Sequence, residues 1–98
     1  MSMNNNNGGI EEMQQFINMI MNAVEGENQI SVCQENNSSV SVYSFIPYEY
    51  NFDEKIYIEG EGCILNIREI DGIEIFYDEI ENEYQIHLKN ENIYITKL

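Results

Sequence analysis

The period of the apolar positions changes once along the chain. Ile10, Met13, Ile17, Ile20 and Val24 recur at spacings of three and four, one face of an α-helix. Phe16 and Met21 widen that stripe, while Glu11, Glu12, Gln14, Gln15, Asn18 and Asn22 take the opposite face. Glu11 and Glu12 suit the positive end of the helix dipole, and Gly26 is a C-terminal stop. The spacing predicts a helix over residues 10–25.

From residue 28 onward the period is two. Ile30 and Val32 alternate with Ser31 and Cys33, and the polar run 35–38 turns the chain. Val40 and Val42 are predicted on one face of the next strand, with Tyr43 and Phe45 on the other. Pro47 ends that strand because it cannot donate to a sheet ladder, and residues 48–54 read as an acidic, aromatic connection. Ile56 and Ile58 alternate with Tyr57 before Gly60-Glu61-Gly62 turns the chain into a strand carrying Cys63, Leu65 and Ile67. Asp71-Gly72 is a hairpin signal leading to Ile73, Ile75 and Tyr77. Residues 78–82 form a carboxylate-rich loop, and two further strands carry Tyr84, Ile86 and Leu88, then Ile93 and Ile95.

One helix followed by six to seven short strands predicts an α+β domain over residues 10–98, behind a disordered polar start at 1–9. The N-terminal amphipathic helix should cover the Ile/Val face of an antiparallel sheet, laid out as a meander or partial barrel. Tyr43, Phe45, Tyr57, Phe76 and Tyr94 should lie on the other face. Either the sheet curls or that face is a contact surface.

Charge then narrows the function. Eighteen carboxylates stand against four Lys and Arg, a formal charge of -14. Phosphate binding is dominated by Lys and Arg, so direct nucleic-acid binding is excluded and anionic membrane surfaces are disfavoured. The field attracts a cation or a basic protein, and equally it keeps a small protein soluble. Eleven Tyr and Phe argue against a disordered acidic tail. No apolar run reaches membrane-spanning length and the start lacks a basic residue, so the expected location is cytoplasmic. Two cysteines, Cys33 and Cys63, are too few for a disulfide framework and read as reduced thiols. Sixteen Ile against three Leu, with 14 Asn, suits an AT-rich genome such as that of a low-GC bacterium or its phage.

Chemistry is not signalled. The single histidine, His87, has neither a local nucleophile nor an orienting group, and three N or S ligands scattered singly do not make a zinc site. The loop at 78–83 lacks the glycine and spacing of an EF-hand, and Gly60-Glu61-Gly62 would repel phosphate. No catalytic residue, cofactor or metal is expected, and the enzyme reading is set aside.

What remains is the placing of acid. Residues two apart on a strand lie about 6.6 Å apart on one face, near the spacing of successive phosphates. Glu79, Glu81 and Glu83 have that spacing, with Glu59 and Glu61 as a shorter instance and Asp78 adjoining. Glu49, Asp53 and Glu54 add charge among aromatics, and Tyr57 and Phe76 are the candidate aromatic contacts. The plain alternative is a solvated hairpin whose charges guard an edge.

A small, very acidic single domain rich in Asn, Ile, Glu and Tyr, without catalytic motifs, resembles the phage-encoded inhibitors of bacterial defence, among them anti-CRISPR proteins and other DNA mimics. The resemblance spans the whole chain in composition and architecture. It implies a non-enzymatic inhibitor that occupies the basic nucleic-acid channel of an enzyme such as a CRISPR effector. Two other readings stand beside it: an immunity protein that neutralises a toxin nuclease, and a structural α+β domain that dimerises through its aromatic sheet face.

Overall fold

The computed structural model describes residues 8–68 and 73–98. Residues 1–7, the side chain of Ile10 and the Asp71-Gly72 turn lie outside the described residues. One helix, α1 (Gly8–Gly26), precedes eight strands: β1 (Ile30–Asn36), β2 (Val40–Phe45), β3 (Pro47–Asn51), β4 (Ile56–Gly60), β5 (Cys63–Ile67), β6 (Glu74–Asp78), β7 (Glu83–His87) and β8 (Glu91–Lys97). The helix thus takes in Gly8 and Gly9, which the sequence pattern assigns to the disordered start. The class is α+β, but six to seven strands in one meander or barrel is corrected to eight strands in two sheets. These are a five-stranded sheet ordered β2-β1-β8-β7-β6 and a three-stranded sheet ordered β3-β4-β5.

Three local causes account for the difference. Residues 48–54 are not all connection, because β3 occupies Pro47–Asn51, with proline tolerated as the first residue of an edge strand. Pro47 is buried and Tyr50 half-buried on the core while Tyr48, Glu49 and Asn51 are exposed, so β3 carries no Ile/Val alternation. The chain passes from β2 to β3 at Ile46, and there the end of β4 comes close. A Cβ on Gly60 would lie 2.3 Å from the Phe45 ring and 2.6 Å from the Ile46 carbonyl oxygen. Only glycine lets β4 close against this corner. Finally, β5 and β6 belong to different sheets, and β8 pairs with β1.

The core fills the space between the sheets. Ile30, Val32, Phe45, Ile75, Ile86, Ile93 and Ile95 enter from the larger sheet, and Ile56, Ile58, Leu65 and Ile67 from the smaller. Among the described residues no polar or charged residue is buried with them. Helix α1 packs on β3 and β6 and contributes Phe16, Ile20 and Ala23, all fully buried. Phe16 meets Phe52 and Tyr84 edge-on, at 6.0 and 5.6 Å between ring centroids.

The buried face is therefore turned from the stripe centred on Ile17 by roughly 70°, less than one residue's step of about 100°. Ile17 is only half-buried at its margin, and Met21 is exposed. The rotation draws Glu12 off the solvent face, leaving its Oε1 buried without a hydrogen-bond partner. Burial, with smaller contributions from Tyr77 and Glu12, pushes the Tyr84 hydroxyl pKa up. The helix ends in a Schellman motif, with Asn28 N–H donating to Ala23 O at 2.9 Å and Glu27 N–H to Val24 O at 3.3 Å. The left-handed residue is Glu27 at φ 55°, one beyond the glycine that the sequence offers. No helix of the described residues is long and apolar enough to cross a membrane.

Candidate functional site

Strand register brings the carboxylates together in a way that spacing along the chain does not show. On the outer face of the three-stranded sheet, Glu49 stands directly opposite Glu59. In the five-stranded sheet, Asp78 stands directly opposite Glu83. Two like charges facing each other across a ladder oppose the fold, by about 0.2–1 kcal/mol each on the scale of cross-strand pairs.

Around the first pair, two tyrosines hold Glu59. Tyr57 donates its hydroxyl to Glu59 Oε1 at 2.6 Å, and Tyr48 donates to Oε2 at 3.3 Å. The hydrogen bond to Glu59, then desolvation and the charges of Glu59 and Glu49, push the Tyr57 pKa up to about 12. Desolvation and the charges of Glu59, Glu49 and Glu61 raise that of Tyr48. Both hydroxyls therefore remain donors at neutral pH. Lys55 lies 5.6 Å from the centroid of the Tyr57 ring. Glu61 sits in the turn after β4, so Glu59 and Glu61 do not form a strand-spaced pair.

Asp53 and Glu54, grouped by sequence with Glu49, lie in the β3–β4 connection, at the other end of β3 from the Glu61 turn. Asn51 Oδ1 accepts from Asp53 N–H at 2.8 Å, and Glu54 holds a left-handed φ of 60°. They line a shallow cleft of about 390 Å³ that also contains Lys55 and Arg68. Their charge thus faces cations of the same molecule.

The second acidic group is the β6–β7 hairpin. Asp78 Oδ1 accepts from the backbone N–H of Ile80 at 2.9 Å and of Glu81 at 3.1 Å, building the turn. Tyr77 donates its hydroxyl to Asn82 Oδ1, and Asn82 takes φ 57°. Glu79 and Glu81 lie in this turn and only Glu83 is in a strand, so the expected one-face run of Glu79, Glu81 and Glu83 does not form. Instead the carboxylates surround Ile80, which is 91% exposed at the tip. The sequence reading missed Ile80 and Tyr48; an isolated apolar residue inside an acidic turn is the signal for the first.

The predicted single aromatic face does not exist. Phe45 is buried and Tyr43 packs on the core, so the inward face of β2 is Tyr43 and Phe45, with Val40 and Val42 facing solvent. Tyr57 lies on the outer face of the smaller sheet. Phe76 and Tyr94 lie on the outer face of the larger one, where Phe76 meets His87 edge-on at 5.2 Å. Cys33 and Cys63 are free and half-buried on different sheets, and among the described residues no three His, Cys, Asp or Glu side chains are grouped to hold a metal. A cleft of about 720 Å³ between the sheet ends is lined by Arg68, His87 and Lys89 together with Gln34 and Glu91. There Tyr43 donates to Gln34 Oε1 at 2.5 Å, and Gln34 Nε2 donates to Glu91 Oε2 at 3.2 Å. Most of the cationic side chains thus line two clefts that share Arg68, and neither cleft is lined by Glu49, Glu59, Asp78 or Glu83. Comparison with protein-family models, with curated proteins and with solved structures finds no match to this chain.

Proposed function

We propose that this protein is a non-enzymatic inhibitor that binds the basic, nucleic-acid-binding surface of another protein, in the manner of phage-encoded inhibitors of bacterial defence nucleases. The observation that carries this reading is the pair of directly opposed carboxylates on each sheet, Glu49 with Glu59 and Asp78 with Glu83. Each opposes folding, and each is relieved when Lys and Arg of a partner approach. The tyrosine hydroxyls fix Glu59 in place, so part of the negative surface is set before binding. A basic channel that holds nucleic acid presents the matching field, and occupying it displaces the nucleic acid by competition. The same logic fits an immunity protein on a toxin nuclease. The target enzyme, its location in the bacterial cytoplasm and the absence of catalysis all belong to this proposal.

The test is displacement. A labelled DNA bound to a basic nuclease, such as a CRISPR effector with its guide, should be released as this protein is added, and release should weaken as salt rises. A complex in which protein and DNA bind together without mutual weakening would overturn the reading.

A further inference from the structure

Strand β2 is an open edge of the five-stranded sheet, and it lacks the devices that keep such edges from pairing. Residues 36–48 contain no charged side chain, although Glu35 and Glu49 bracket them. Val40 and Val42 are 60% and 67% exposed on the outer face. Ser41, on the inward phase, is exposed as well, so the first half of β2 stands clear of the core. Its register with β1 is unbroken over six positions, from Glu35↔Val40 to Ile30↔Phe45. The turn before it is braced by Asn36 Oδ1, which accepts from the N–H groups of Ser38 and Ser39 at 2.9 Å each. The other edges differ. β3 begins with proline, carries Glu49 and breaks register between Pro47 and Glu49; β6 carries Glu74 and Asp78; β5 is uncharged, but its uncharged run covers only residues 62–67, between Glu61 and Arg68.

We propose that β2 pairs antiparallel with β2 of a second copy of this chain, joining two five-stranded sheets into one. Charge selects that occupant. Two molecules at -14 repel, so they associate only where neither contributes charge, and an uncharged edge is complementary to itself about a two-fold axis. A basic partner is drawn instead to the opposed carboxylates. Residues directly opposite in an antiparallel pair share a face, so pairing centred on Val42 sets Val42 against its own copy. The uncharged line across the outer face, Val42–Cys33–Tyr94–Gln85–Phe76, then continues through the axis. The acidic β6–β7 hairpins stand at the two far ends of the joined sheet. This dimer is independent of the inhibitory role.

Sedimentation velocity over a concentration series should show the mass approach twice 11.5 kDa, with salt strengthening association by screening. That salt dependence is opposite in sign to binding of a basic partner, so the two proposals fail separately. Val42→Lys should return the monomer without lowering the melting temperature, and Ile64→Lys on exposed β5 should leave the dimer intact. In a Cys33→Ser, Cys63→Ser background, Val42→Cys should form an intermolecular disulfide under mild oxidation, because directly opposed residues have Cα atoms about 4.5–5.5 Å apart. A monomer at every concentration and salt, a dimer that survives Val42→Lys, or one abolished by Ile64→Lys would each overturn the proposal.

Discussion

Phe16→Ala should remove the wedge between the two sheets. Phe16 is fully buried, and its ring meets both Phe52 and Tyr84. Truncation of a buried Phe costs about 3–5 kcal/mol through lost transfer energy and the cavity left behind. Two edge-on aromatic contacts place this site toward the upper end. A chain of this size has a total stability of about 5–15 kcal/mol, so a large share is lost. Urea is the suitable denaturant, since a guanidinium salt would also screen the acidic surface. At about 2 kcal/mol/M, the midpoint should fall by about 2 M with an unchanged slope. Ile17→Ala, at the half-buried margin, should cost about 1 kcal/mol. Equal losses, or a larger one at Ile17, would show that the helix packs with the stripe centred on Ile17 and would refute the reasoning.

Glu27→Gly should raise stability by about 1 kcal/mol, or about 4–8 °C in Tm by calorimetry, because it removes a left-handed L-residue and a carboxylate at the negative helix end. Gly60→Ala should destabilise by about 1–3 kcal/mol in urea, because its Cβ cannot fit against the Phe45 ring and the Ile46 carbonyl. Tyr57 should ionise near pH 12 in an absorbance titration, and Glu59→Gln should bring it back toward 10. Because the folded pKa is raised above 10, the contribution of Tyr57 to stability is present below pH 10 and is lost as pH rises through about 12.

Much of the fold is legible in the chain because local period and burial agree. The strands carrying Ile56 and Ile58, or Ile93 and Ile95, alternate as half-buried strands should. β3 is not legible, since Tyr-Glu-Tyr-Asn after a proline reads as loop until β4 supplies its partner. The helix phase is misread because a broad apolar face leaves its centre undetermined, and Ala23 carries little weight beside Ile17. On β2 both faces carry apolar residues, and only the corner at Ile46 decides that Tyr43 and Phe45 turn inward. For the candidate site, the sequence names Glu49, Glu59, Asp78 and Glu83 but not their opposition, which register alone creates. Grouping by proximity in sequence instead joins Glu49 to Asp53 and Glu54, which share a cleft with Lys55 and Arg68.

The most direct test combines Glu49→Lys with Glu83→Lys, turning each opposed like-charge pair into an opposite-charge pair. Displacement of labelled DNA from the basic target is measured between about 50 and about 200 mM salt, beside urea melts of the same proteins. If the opposed carboxylates serve a partner, the double variant is as stable as the parent or more so. It displaces DNA weakly and loses the steep dependence on salt. Undiminished displacement by the stable double variant would contradict the proposed function.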